Sequence, residues 1–346
     1  MNPALVEAWR GNAVESRHRG SLAVVDADGG VLAALGDIDL PVFPRSAVKV
    51  LQALPLLESG AAARFGLTGA ELALACASHN GEEPHARTAA AVLAKAGLDV
   101  TALECGTHWP LQDIATRALA AAGQVPSALH NNCSGKHAGF VCLGCQLAGD
   151  RDPRSFLAGY VKPEHPVMRT VTAALQAATG YDLRHAPVGT DGCSIPTYAV
   201  PLRHLARAFA RVGTGTGLAP GHAAAARQLR QAVAGAPFMV GGSGRFDTRL
   251  MESFGERVFC KVGAEGVYCA ALPQRGLGVA LKIDDGAARG CEVAMATVIE
   301  AFVEQDEAET ALLRELGRVT LRNWNGINVG RLAAAPELRR ALGLSD

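Results

Sequence analysis

The spacing of apolar and polar positions changes character twice along the chain. Alternation and short β-branched runs predict strands over 13–19, 22–26 and 31–35. The last two are joined by Asp26-Ala27-Asp28-Gly29-Gly30, which is hairpin-turn chemistry. Beyond residue 45 the apolar spacing lengthens to that of helices. Thr68-Gly69-Ala70-Glu71 is a capping-box pattern ahead of an apolar run over 72–77. Helical patterns continue over 84–97, 111–123, 135–148, 166–179, 201–212 and 220–234. Strand patterns return at 257–262, 267–272 and 278–283, and the short Gly-containing turns between them dictate antiparallel pairing. A further helix is predicted over 290–304.

Strands, a helical block, then strands and a helix describe an α+β protein. Its N- and C-terminal segments would share one antiparallel sheet covered by the central helices. No repeat or linker cuts the sequence, so the expectation is one large catalytic unit over 1–346. Within it, 1–45 and 240–346 form the sheet-containing part and 46–239 the mainly helical part. Gly241-Gly242-Ser243-Gly244 lacks the Lys-Ser/Thr of a phosphate loop and reads as a turn before a helix at Phe246.

Composition narrows the function. The 346 residues are 49% hydrophobic and 19% charged, enough for a substantial core and incompatible with global disorder. Thirty-three basic side chains balance thirty-three acidic ones, which leaves no electrostatic footprint for nucleic acid or an anionic membrane. No apolar run is long enough to span a bilayer, and the polar 1–20 stretch lacks a signal peptide's apolar core, so the expected compartment is the cytoplasm. Nine cysteines, an odd number in a long chain, read as reduced thiols with room for one metal site. Cys142 and Cys145 have zinc-knuckle spacing but lie in an apolar helical run with no second pair, and read as core thiols.

Four segments carry chemistry. Pro44-Arg45-Ser46-Ala47-Val48-Lys49 opens an apolar helix, and residues three apart share a helix face, so Lys49 can accept the Ser46 proton. The spacing is the Ser-x-x-Lys of penicillin-recognising enzymes. Cys76-Ala77-Ser78-His79-Asn80-Gly81-Glu82 is a polar cluster at a helix end. His130-Asn131-Asn132-Cys133-Ser134-Gly135-Lys136-His137 opens another helix and suits a small polar ligand. Gly189 to Pro196 presents Asp191 and Cys193 in a loop. Cys133 is a candidate zinc thiolate, although spacing alone does not define a metal site. Lys261-Val262-Gly263 ends a strand, where penicillin-recognising enzymes carry a Lys-x-Gly element.

Together these segments resemble the rhizobial-type, or class 3, L-asparaginases, whose fold is serine-β-lactamase-like. The resemblance runs in order from Phe43 through Ala77–Glu82, Asn131–His137 and Gly192-Cys193 to Phe259–Gly266. It implies hydrolysis of L-asparagine to L-aspartate and ammonia through an acyl-enzyme, and two serine–lysine pairs, Ser46 with Lys49 and Ser78 with Lys261. Ser46 is the favoured nucleophile because helix geometry fixes its lysine. The resemblance also implies zinc on Cys133, Lys136 and Cys193 in a structural or substrate-orienting role. Lys136 would have to be neutral there, because an ammonium has no lone pair. Arg45, His137 and Asp191 would surround the substrate, Arg45 suiting its α-carboxylate and Asp191 its α-ammonium. A homodimer is implied as well. Two other readings share the residues: a β-lactamase or penicillin-binding hydrolase, and a non-catalytic zinc or amino-acid binding protein. Against the first stand Lys-Val-Gly in place of Lys-Thr-Gly and the lack of a Ser-Asp-Asn.

Overall fold

The computed structural model describes residues 1–345. The chain packs as two units. One comprises Met1–Ala47, Ala199–Gly217 and the chain from Arg257 onward; the other comprises Val48–Tyr198 and Leu218–Glu256. In chain order the strands are β1 (Ala4–Arg10), β2 (Ala13–Asp26), β3 (Val31–Leu35), β4 (Pro41–Val42), β5 (Val188–Thr190), β6 (Pro196–Tyr198), β7 (Val200–Pro201), β8 (Phe259–Val262), β9 (Val267–Leu272), β10 (Leu277–Ile283), β11 (Arg318–Arg322) and β12 (Asn328–Ala334).

The first unit is built on an antiparallel sheet of order β11-β12-β1-β2-β10-β9-β8, with β3 also on β2. The long strand β2 joins its halves. The start of β2 pairs with β1, whereas Leu22 further along lies opposite both Leu281 of β10 and Leu35 of β3. N- and C-terminal segments therefore share one sheet, as the strand–helix–strand order dictates. Every residue of β8 and β9 is buried; β9 is apolar throughout, whereas β8 carries Lys261 among its apolar residues. Three strands of this sheet escaped the pattern reading, namely β1, β11 and β12, as did the short strands β4 to β7 outside it. Strand β11 is mostly exposed and β12 mostly half-buried, with arginines and a glycine where a buried strand would carry large apolar side chains.

The helix Leu202–Thr214 belongs to this sheet unit and not to the helical part assigned to 46–239. Its alanines are the reason. A Cβ at Gly278 of β10 would stand 1.9 Å from the Ala206 carbonyl oxygen and 2.3 Å from the Ala210 nitrogen. Small residues on both sides let helix and strand touch backbone to backbone. Phe209 of the same helix stacks on Phe259 of β8 at 6.0 Å.

The second unit is helical. Lys49–Glu58, Gly69–Ala75, Glu83–Lys95, Ser134–Ala148, Pro166–Thr179 and Pro220–Gly235 match the expected spans closely, while the 111–123 helix is trimmed to Asp113–Ala121. Lys49–Glu58 packs on Ser134–Ala148, Pro166–Thr179 and Pro220–Gly235, and is buried from Lys49 to Leu56. Residues 240–256 also sit here and not in the sheet part, because the Gly241–Arg245 turn is bonded to Asn80 and Glu82. Ser243 donates to both Glu82 oxygens, through its N–H at 2.8 Å and its hydroxyl at 2.7 Å. The helix beyond that turn starts at Phe246, as its sequence suggests. Among the described residues no helix is long and apolar enough to cross a membrane.

The capping box at Thr68 forms. The Glu71 carboxylate accepts the Thr68 N–H at 2.6 Å and the Lys95 ammonium at 2.6 Å. Burial pushes the Glu71 pKa up, but the bonds from Lys95 and Thr68 together outweigh it and leave the pKa below its ordinary value. A carboxylate depressed on folding stabilises the protein above its unfolded pKa of about 4.3, and the contribution is lost as pH falls through the folded value. The difference in urea midpoint between wild type and Glu71→Gln is therefore expected to be full at pH 7 and to shrink below about pH 4.

Candidate active site

Lys49 is the first residue of its helix, and its side chain is 1% exposed. The side chain leans toward the helix N-terminus, as helical side chains do. There Nζ lies 2.8 Å from Ser78 Oγ and 3.1 Å from Cys133 Sγ, and it donates to the carbonyls of Ala77 and Asn132. The serine bonded to Lys49 is thus Ser78, where the sequence reading had paired Lys49 with Ser46. Spacing along one helix shows which residues share a face. It cannot show that two other segments of the helical unit deliver a hydroxyl, a thiol and two carbonyls to the amine.

Those segments are firmly held. The helix Gly69–Ala75 stops short of Ser78, and the chain runs on without regular structure, with Ser78 N–H bonded to the Val240 carbonyl at 3.0 Å and Asn80 N–H to the Gly241 carbonyl at 2.9 Å. On the other side, the buried Asn131 side chain donates to the Cys105 carbonyl at 2.9 Å and accepts the Cys133 N–H at 2.8 Å. A Cβ at Gly135 would stand 2.4 Å from the Leu74 carbonyl oxygen, so only glycine lets the Ser134 helix start this close to the Gly69–Ala75 helix.

Cys133, Lys136 and Cys193 converge in the same unit, all buried, with Lys136 Nζ 3.0 Å from Cys193 Sγ. Cys193 comes from the turn of the β5–β6 hairpin, where Ser194 takes a left-handed φ of 75°. A hydrogen bond from Cys193 is the largest effect holding the Cys133 thiol well below the usual range; burial opposes it, and the Lys49 and Lys136 charges assist. The same bond, with burial, pushes Cys193 up. Cys193 is thus the donor of the hydrogen bond between the two sulfurs and Cys133 the acceptor. Burial alone would lower the Lys136 pKa, but Cys193, Cys133 and Asp191 together raise it. Two thiols and an amine are a donor set that zinc accepts. Bonds of about 2.1–2.3 Å put tetrahedral donors about 3.6 Å apart, so the 3.0 Å pair would need to open only slightly and lose two protons, one from the Cys193 thiol and one from the Lys136 ammonium. The residues fit the ion. Among the described residues no group of three His, Cys, Asp or Glu side chains could hold a metal, so the lysine is essential to such a site.

His137, one residue beyond Lys136, is fully buried. Tyr160 Oη accepts the Glu104 N–H at 3.0 Å and donates its own proton to His137 Nδ1 at 2.6 Å. Burial, then the neighbouring Lys136 and Lys49 charges, keep the ring neutral. Its proton therefore sits on Nε2, which is buried without a protein partner: a donor available to a ligand. Asp191 occupies the β5–β6 turn, its carboxylate accepting the Gly192 N–H at 2.7 Å. In the sheet unit, Arg45 and Ser46 are half-buried in a single 3-10 turn, Arg45 with a left-handed φ of 51°. Lys261 is fully buried on β8, and Gly263 beyond it is pressed against the Pro44 carbonyl, where a Cβ would come within 2.4 Å.

The sequence pattern of the L-asparaginase II family matches residues 6–334. The chain belongs to the L-asparaginase II family. It is accordingly an amidohydrolase, and its substrate is L-asparagine. No curated protein matches the sequence. Among solved structures, a β-lactamase from Mycobacterium bovis aligns at 15% identity over 82% of this chain and 95% of that one, with a TM-score of 0.40. Mglu in its native form aligns at 16% identity over 89% of this chain and 67% of that one, with a TM-score of 0.38. The fold of this L-asparaginase is described by its own strand order, and its activity by the family.

Three buried groups around the site were not singled out by the sequence reading: Tyr160, Asn131 and His79. Nothing in Gly159-Tyr160-Val161 marks a tyrosine that would fix a histidine tautomer. Tyr160→Phe leaves His137 Nδ1 and the Glu104 N–H unpartnered, and each buried unpaired group costs about 1–3 kcal/mol. The variant of this L-asparaginase is expected to stay folded with a lowered melting temperature and a raised KM for asparagine, measured by calorimetry and ammonia release.

Proposed function

We propose that this L-asparaginase forms its acyl-enzyme on Ser78, with Lys49 as the proton-transferring base. The observation that carries the reading is the 2.8 Å contact between Lys49 Nζ and Ser78 Oγ, inside the range a general base needs. The step requires Lys49 in its neutral form, which has two N–H groups and one lone pair. With the N–H groups on the Ala77 carbonyl and Cys133, and the longer 3.4 Å contact to the Asn132 carbonyl given up, the lone pair is left for the Ser78 proton. Ser78 Oγ then bonds to the side-chain amide carbon of asparagine. The proton passes from Lys49 to the departing nitrogen, and ammonia leaves an aspartyl ester. Water cleaves the ester, returns a proton to Ser78 and releases L-aspartate. The His137 Nε2–H is a suitable donor to the substrate, with Arg45 and Asp191 assigned to its α-carboxylate and α-ammonium. Lys261 remains a candidate for proton transfer on the strength of the resemblance.

The second reading has Ser46 as nucleophile and Ser78 as proton relay. It is favoured by exposure: Ser46 is half-buried, whereas Ser78 is 6% exposed. A diazoketone analogue of asparagine, followed by peptide mapping, separates the two. The label is expected on Ser78, and Ser78→Ala and Lys49→Met are expected to lose at least about 10²–10⁴ in kcat while remaining folded. A label on Ser46 with Ser78 untouched would reverse the assignment.

Cys133, Lys136 and Cys193 would hold zinc, and when bound it would supply a template that ties their two segments together and orients the substrate. Elemental analysis is expected to find stoichiometric zinc in wild type and to find it depleted in Cys193→Ser. Chelation is expected to raise KM while leaving turnover at saturating asparagine unchanged; a collapse of kcat would give the metal a direct part in the chemistry. Cytoplasmic residence is supported by the nine cysteines, all buried and free. Homodimer assembly rests on the family resemblance.

A further inference from the structure

We propose that His79 is a positioning residue of the L-asparaginase site, holding Ser78 and Cys133 at a fixed separation through its hydrogen bond to Ser134. The inference rests on Lys49 and Ser78 acting together, and it concerns what keeps them in place.

Lys49 bridges two segments, touching Ser78 Oγ at 2.8 Å and Cys133 Sγ at 3.1 Å. One residue further along in both segments a second tie runs beside it: His79 Nε2 lies 2.9 Å from Ser134 Oγ, with both residues fully buried. The direction of that bond is fixed. His79 Nδ1 accepts the Gly81 N–H at 3.0 Å, so the ring proton is on Nε2 and Ser134 is the acceptor. The ring plane is fixed as well. His79 stacks on His85 at 4.7 Å and 6°, and His85 stacks on Phe238 at 4.7 Å and 13°. His85 Nε2 donates to the Phe238 carbonyl at 3.0 Å, and Val240, two residues on, accepts the Ser78 N–H. The stack thus ends on the 3-10 turn Pro237–Met239, which runs directly into the Val240 carbonyl that holds Ser78. Burial, followed by the charges of His85 and Lys49, keeps His79 uncharged, so it serves as a strut and not as an acid.

A loosened strut lets Ser78 drift relative to Lys49, and a misplacement of about 1 Å can cost on the order of a hundredfold in rate. The test measures kcat and KM for asparagine in His79→Ala, His79→Asn, His79→Gln, Ser134→Ala and the His79→Ala/Ser134→Ala double variant. Gln can place an amide N–H where Nε2 stands, whereas Asn replaces only the Nδ1 side. The expected result is a roughly ten- to hundredfold loss of kcat, at nearly constant KM, in His79→Ala, His79→Asn and Ser134→Ala. His79→Gln should recover most of it, and the double variant should be no worse than either single one. Losses that multiply in the double variant, a change confined to KM, or wild-type kcat in Ser134→Ala would overturn the proposal. Ser134→Ala keeps the ring stack and the Gly81 bond, so it carries the test should His79→Ala fail to fold. The diazoketone label site in wild type tests the role of Ser78 separately. A label on Ser46 would sink that assignment, while the Gln rescue and the non-additivity would still report on the strut.

Discussion

An amine with almost no solvent contact governs the helical unit. Removing Lys49 from water costs several kcal/mol unless its hydrogen-bonding capacity is met by the protein. The atoms that meet it are the Ala77 and Asn132 carbonyls, the Cys133 sulfur and the Ser78 hydroxyl, all from outside its own helix. Two segments distant in sequence must therefore end side by side. Each ends beside a helix, the first just after Gly69–Ala75 and the second at the start of Ser134–Ala148. The missing side chain at Gly135 brings those two helices into backbone contact. The chemistry of the site and the packing of the unit follow from the same requirement.

Around this amine the histidines are fixed dipoles. His79 and His137 are buried near Lys49, which lowers both pKa values, and each has one ring nitrogen committed as an acceptor, to Gly81 and Tyr160 respectively. Their N–H groups then point where the scaffold directs them: toward Ser134 for His79 and, for His137, toward no acceptor among the described residues. Backbone strain is placed in a comparable way. Among the described residues, two of the three non-glycine residues with left-handed φ are Arg45, beside Ser46, and Ser194, beside Cys193. Both carry the cost of aiming a neighbour.

Much of this was legible beforehand because it is local. The Thr68–Glu71 capping box, the long amphipathic helices and the hairpins after Phe259 depend on nearby residues, and they form close to where their patterns put them. The motifs around Ser46, Ser78, Cys133 and Cys193 were legible as polar clusters at helix ends and turns. The partner of Lys49 was not, since it is set by which helix ends meet. The grouping of 199–217 with the sheet hung on one glycine, Gly278, and on two alanines whose smallness has no periodic signature. Strands β11 and β12 lacked the buried β-branched residues that mark a strand. Tyr160 was invisible for a different reason: a single aromatic residue gains its role only from a histidine elsewhere in the sequence.

Cys133 connects the two halves of the site. Its sulfur is touched by Lys49, takes the Cys193 hydrogen bond, and is one of the three donors suited to zinc. Replacing it by serine would remove more than a metal ligand, because Lys49 and Lys136 would both lose the sulfur that faces them in a buried space. The two functions cannot be separated by moving one side chain. Whatever draws Cys133 toward Lys136 and Cys193 also shifts a hydrogen-bond partner of the amine that holds Ser78. The tie from His79 to Ser134, one residue along from that contact, is then the element that keeps the serine in place while the sulfur is shared.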